Sequence, residues 1–147
     1  MIDDFPAVDE EKKIGALIKT SLVDYPGRVA AALFLQGCNL RCPYCYNTEL
    51  VTGTPEDYES VSFKQVIEHL KKRAAVLTGF VISGGEPLLS PCLPRLISEA
   101  RALGYYIKLD TNGLMFERLE RIITDPQLCP DYIALDVKTS PDRYADL

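Results

Sequence analysis

Cys38, Cys42 and Cys45 place three thiols within eight residues, in the run Gly37-Cys38-Asn39-Leu40-Arg41-Cys42-Pro43-Tyr44-Cys45. Thiolates are the usual ligands of iron–sulfur clusters, and a four-iron cluster ordinarily takes four of them. A compact set of three leaves one iron open, which is what a chelating substrate needs. A structural zinc site is the competing reading. It closes with four ligands, and Cys92, Cys129 and the single histidine, His69, are the candidates for the fourth. Structural zinc commonly uses two C-x-x-C pairs, and this loop has one, Cys42 and Cys45. A redox dithiol made of that pair alone leaves Cys38 without a role. Cys92 and Cys129 lie outside the loop and read as buried structural thiols, and His69 reads as a partly exposed structural histidine.

Three further polar clusters follow. Ser83-Gly84-Gly85-Glu86-Pro87 has two glycines that let another group approach the backbone closely. Asp110-Thr111-Asn112-Gly113 is, taken alone, an ordinary Asx-type turn. Asp136 and Lys138 are two residues apart and share one face of a strand, where a solvated ion pair would explain them.

The elements that must position these groups alternate. Ile14–Ile18 reads as a short strand, and Asp24-Tyr25-Pro26-Gly27 as a turn. Val29–Leu35 is continuously apolar, as a strand buried on both faces should be. Ser62 with Gln65 forms a capping box that opens a helix with Phe63, Val66, Ile67, Leu70 and Ala74 on one face. Phe80–Ile82 is a second buried strand. Ser90 and Pro91 read as the N-cap and first position of a helix that carries Leu93, Leu96 and Ile97 and stops at Gly104. Tyr105–Leu109 is a third strand, Phe116, Leu119, Ile122 and Ile123 mark a third helix, and Tyr132–Val137 is a fourth strand. All four polar clusters then fall at the C-terminal ends of consecutive parallel strands, the edge at which (β/α) folds bind ligands. This layout predicts an α/β fold: a partial (β/α) barrel of about four strand–helix units, with the rest of the barrel beyond the C-terminus.

The chain has 147 residues and a net charge of −5, which argues against a broad nucleic-acid footprint. Its longest apolar run is too short to span a bilayer, and no basic-then-apolar leader opens it. Five cysteines, three of them clustered, suit a reducing compartment and a cytoplasmic address. Residues 1–13 are expected to form a loose acidic end, and 14–147 the core.

With those residues in view, the chain resembles the radical S-adenosylmethionine (SAM) superfamily. Cys38-x3-Cys42-x2-Cys45 with Tyr44 is similar to its cluster signature, and Gly84-Gly85-Glu86-Pro87 to its SAM-binding motif. Lys19–Gly27 and Phe34–Cys38 resemble, more closely, the activating enzymes of glycyl-radical enzymes. This group includes pyruvate formate-lyase activase-like proteins and those that act on anaerobic ribonucleoside-triphosphate reductase. One departure is Tyr46-Asn47, where many relatives have His-Asn.

The resemblance implies a [4Fe–4S] cluster on Cys38, Cys42 and Cys45. It implies SAM held by Tyr44, Gly84, Gly85, Glu86, Asp110, Asn112, Asp136 and Lys138. By position, Asp110, Thr111 and Asp136 match the ligands of a monovalent cation. No side chain is expected to be catalytic in itself, because the cluster and SAM carry the chemistry. The implied partners are a glycyl-radical enzyme, specifically anaerobic ribonucleotide reductase, and a flavodoxin- or ferredoxin-type electron donor; neither nucleic acid nor a membrane is expected. Two other functions stay open: a small-molecule enzyme resembling 7-carboxy-7-deazaguanine synthase, and a non-catalytic metal-binding remnant.

Overall fold

The computed structural model describes residues 6–147. A six-stranded sheet has the order β3-β1-β2-β4-β5-β6. Its strands are β1 (Lys13–Ser21), β2 (Ala30–Leu35), β3 (Val61–Ser62), β4 (Gly79–Gly84), β5 (Tyr106–Thr111) and β6 (Tyr132–Leu135). The helices are α1 (Thr48–Thr52), α2 (Phe63–Arg73), α3 (Leu93–Ala102) and α4 (Phe116–Thr124).

β2, β4, β5 and β6 are parallel, and each is added beside its predecessor on the same side. That is the winding of a (β/α) barrel rather than of a doubly wound sheet. The sheet is not closed. β1 turns back antiparallel on β2 and extends beyond the expected Ile14–Ile18. The two-residue β3 pairs with β1 and leads directly into α2.

Side-chain alternation along the strands separates two faces. Leu33, Leu35, Phe80, Ile82, Ile107 and Leu109 pack under α2 and α3 in the main core. Ala30, Ala32 and Val81 face the other way, with Tyr25 and Phe34. Fully burying a Leu, Ile or Phe side chain contributes about 1.5–3 kcal/mol. The helix side therefore supplies most of the stability, and the small concave-side residues leave room near the strand ends.

Helix termini follow local chemistry. At α2, Ser62 Oγ accepts from Gln65 N–H at 3.2 Å, and Gln65 Oε1 accepts from Ser62 N–H at 2.8 Å. After α3, Gly104 takes φ +90°, a conformation that disfavours a side chain.

Several expectations change. α3 begins at Leu93, not at Ser90-Pro91: Pro87–Leu89 first forms a 3₁₀ turn, and Ser90 Oγ then accepts from Cys92 N–H at 3.2 Å. Ala74 leaves the core stripe because the chain departs from the helix at Arg73. The described part of the expected loose end, 6–13, is tied down. Glu10 pairs with Arg95, Glu11 pairs with Lys64 at 3.0 Å, and Lys13 already belongs to β1. The rest of that segment, 1–5, lies outside the described residues. Among the described residues no helix is long and apolar enough to cross a membrane.

Candidate cluster and SAM site

The cysteine loop leaves the sheet where β2 ends. Gly37 turns the chain at φ +92°, and its amide donates to Leu50 O at 2.8 Å, tying the loop to α1. Leu40 and Leu50 are buried beneath it. The Arg41 guanidinium donates to Cys38 O at 2.7 Å and Leu40 O at 2.8 Å, and Cys45 N–H donates to Cys42 O at 3.1 Å. The result is a loop shaped by its own backbone, with Cys38, Cys42 and Cys45 partly exposed, unpaired as disulfides, and lining one cavity of about 580 Å³. Burial pushes the Cys38 thiol up, and the Leu40 amide on its sulfur pulls it partly back. Bound iron would remove that proton by its own charge.

The glycine turn after β4 packs against this loop. A Cβ on Gly84, at φ +122°, would lie 2.2 Å from Leu35 N, and one on Gly85 would lie 2.0 Å from Gly37 O. Both glycines are thus required by neighbouring backbone. The Gly85 amide donates to Leu35 O at 2.9 Å and the Glu86 amide to Gly37 O at 2.7 Å. An ammonium group only donates, so any contact of this turn with one falls to its carbonyl oxygens.

Glu86 does not line the cavity; it is buried beneath the turn. Its carboxylate accepts from Leu88 N–H at 3.1 Å, Thr111 Oγ1 at 2.6 Å and Asn112 N–H at 2.8 Å. It clips the β4 turn to the β5 turn. Asn112 then donates to Asn39 Oδ1 at 2.8 Å, joining both turns to the cysteine loop. Hydrogen bonds to a charged acceptor are worth about 1.5–3 kcal/mol each, and Glu86→Ala orphans three donors. We expect this substitution to cost about 3–5 kcal/mol in urea unfolding. A loss below about 1 kcal/mol would contradict the clip.

The cavity wall continues with Asp110 and Thr111 on β5, and with Asn112, Asp136 and Lys138. Asp136 N–H donates to Thr111 O at 2.9 Å, so the β6 exit is registered on β5. Lys138 Nζ lies 3.1 Å from Asp136 Oδ2. Burial pulls the Lys138 ammonium down, but the hydrogen bond and charge of Asp136 outweigh this and leave it raised. Tyr44 donates its hydroxyl to Lys138 O at 2.7 Å, and Tyr144 accepts from Lys138 N–H at 3.0 Å. Thus the cysteine loop, the three strand-end motifs and Tyr44 meet at one cavity. Sequence reasoning missed Asn39, Tyr144 and the α1 wall formed by Thr48, Val51 and Thr52, none of which carries a chemical signature.

The remaining zinc-ligand candidates stand elsewhere. Cys92 is in the helix-side core, His69 on α2 has its Nε2 3.0 Å from Lys19 O on β1, and Cys129 precedes β6 at the opposite edge. Among the described residues no three His, Cys, Asp or Glu side chains group around a single ion. Three thiols lining one cavity, with Cys92, Cys129 and His69 all elsewhere, fit a four-iron cluster with one open iron.

The radical SAM superfamily profile matches residues 33–147. A Methanocaldococcus jannaschii protein, provisionally named a glycyl-radical enzyme activating enzyme, is 32% identical over 90% of this chain and 53% of its own length. A PqqA peptide cyclase of Xanthomonas campestris is 36% identical over 52% of this chain and 20% of its own. The chain thus spans about half, or less, of these relatives' length. The crystal structure of QueE from Escherichia coli matches 72% of this chain and 52% of its own at a TM-score of 0.50 and 18% identity, a likeness of fold. From its cysteine loop to its strand-end motifs, this chain belongs to the radical SAM superfamily.

Proposed function

We propose that the protein is a radical SAM activating enzyme that generates a glycyl radical on a partner enzyme, with anaerobic ribonucleotide reductase as that partner. The observation that carries this reading is the shared cavity: three thiols, the Gly84-Gly85 turn, two carboxylates and a lysine converge there. The named Methanocaldococcus relative supports the activase class. A flavodoxin- or ferredoxin-type donor and a cytoplasmic setting follow from the same reading.

Cys38, Cys42 and Cys45 would hold the cluster, and SAM would be bound in the same cavity. When bound, the two supply one-electron reductive cleavage of a carbon–sulfur bond and, from it, hydrogen-atom abstraction. The chain's own residues bind and orient. Carbonyl oxygens of the Gly84-Gly85 turn would accept from the amino group, and Lys138, held protonated by Asp136, would meet the carboxylate. Asp110 and Asp136 would take ribose hydroxyls, Asn112 keeps the β5 turn against the loop, and Tyr44 would offer a ring face to the adenine. Glu86 acts through the turns it joins. Fixed geometry and water exclusion are the protein's contribution to rate.

The test is anaerobic incubation of the cluster-loaded protein with SAM, dithionite and an anaerobic ribonucleotide reductase. A glycyl-radical doublet in the reductase EPR spectrum is expected. Turnover of a pterin-like small molecule with no doublet would reject the activase in favour of a small-molecule enzyme.

A further inference from the structure

Lys108 is a buried lysine in the concave face of the sheet, a position the cavity chemistry described so far does not use. It sits mid-strand on β5, in register with Val81 on β4 and Tyr132 on β6. Its side chain is 11% exposed, and its Nζ lies 2.6 Å from Asp110 Oδ1 and 5.7 Å from the centroid of the Tyr132 ring. Tyr132 is held in turn edge-on to Tyr25, at 6.1 Å. Ala30, Ala32 and Val81 pack on this face with Tyr25 and Phe34. Burying an ammonium there is costly unless a carboxylate compensates it.

The three residues that match a monovalent-cation site are already engaged. Asp110 Oδ1 holds Lys108, and Asp136 Oδ2 holds Lys138. The Thr111 hydroxyl donates to Glu86 and accepts from Gly113 N–H at 3.1 Å, while its carbonyl accepts from Asp136 N–H. A cation placed on Asp110 would also meet the ammonium of Lys108 at close range, a like-charge contact strengthened by low local dielectric. The oxygens present do not fit an added cation beside Lys108.

We infer that Lys108 is a built-in countercharge for Asp110, a positioning residue that takes the place of a monovalent cation and makes SAM binding independent of one. The ammonium fixes one oxygen of Asp110 and leaves Oδ2 as the oxygen it can offer the cavity. This rests on the reading of the cavity as a SAM site.

The test is equilibrium dialysis of SAM against the cluster-loaded protein in potassium chloride and in tetramethylammonium chloride, at equal ionic strength. Wild-type affinity should agree within about twofold between the salts, because the charge at Asp110 is supplied internally. Lys108→Met should bind about tenfold more weakly in tetramethylammonium and recover to within about threefold in potassium, which then enters the vacated position. A second measurement needs neither cluster nor SAM. Potassium should raise the melting midpoint of cluster-free Lys108→Met by a few degrees and leave that of wild type unchanged. Wild-type SAM binding at least about tenfold tighter in potassium would overturn the inference, as would a Lys108→Met protein that responds to potassium in neither measurement. Cluster uptake without SAM binding in either salt would instead refute the cavity assignment, and the melting experiment would still decide the role of Lys108.

Discussion

Alanine at any one of Cys38, Cys42 or Cys45 is expected to abolish retention of a four-iron cluster after anaerobic reconstitution, from about four irons per chain to fewer than about one. The loop supplies only three thiols, so removing one leaves two irons without protein ligands. No neighbour can step in. Cys92 is packed in the helix-side core, and Cys129 lies at the other edge of the sheet, where the Arg101 guanidinium donates to its carbonyl at 2.6 Å. Iron content of Cys92→Ala and Cys129→Ala should therefore equal wild type. Loss of iron in either one would show a fourth thiolate and remove the open iron on which the account depends.

Gly85→Ala should damage the cysteine loop directly. Its Cβ would sit 2.0 Å from Gly37 O and 3.3 Å from Cys38 Cβ, in the place where the Glu86 amide now reaches Gly37 O at 2.7 Å. The atoms in the way at 2.0 and 2.6 Å are the backbone carbonyl oxygen and carbon of Gly37, so relief requires moving the cysteine loop. Overpacking and the lost hydrogen bond together should cost about 2–4 kcal/mol. Because the displaced segment carries Cys38, cluster occupancy should fall with stability. Gly27→Ala is the contrast. Gly27 has φ +76° with nothing within 4 Å of the added atom, so only the left-handed conformation is penalised, about 1–2 kcal/mol. Cluster content in Gly27→Ala should equal wild type. Equal cluster loss in the two variants, read from iron per folded chain, would mean that the glycine turn does not support the cysteine loop.

The parallel half of the fold was legible because it is locally consistent. Val29–Leu35 and Phe80–Ile82 are apolar on both faces, and Ser62 with Gln65 carries its capping geometry within four residues. The elements that escaped notice are short or edge-placed. β3 has two residues and α1 five, below the length at which periodicity can speak. In β1 the alternation fails over Lys19 and Thr20, which are exposed. Ser90-Pro91 has the composition of a helix start, but Ser90 is the C-cap of the preceding 3₁₀ turn and α3 begins only at Leu93.

The site was legible as motifs and not as a network. Spacing alone placed the cysteines, Gly84, Gly85, Asp110, Asp136 and Lys138 at one edge, where they line one cavity. What spacing does not carry is which atoms are already engaged. The glycines admit neighbouring backbone, Glu86 binds the chain's own donors, and Thr111 is 2% exposed. Lys108 carries no motif at all, being one charged residue within the third strand. Its burial depends on β4 and β6, which are distant in sequence.

The cluster assignment requires an open iron beside the Gly84-Gly85 turn, ready to be chelated. Its most direct test is pulsed EPR of the reduced, reconstituted protein with SAM isotopically labelled at the amino nitrogen and the carboxylate. The account predicts hyperfine coupling of both labels to the cluster, lost when SAM is omitted. A protein that takes up zinc without iron, or a reduced cluster with no coupling to either label, would contradict it.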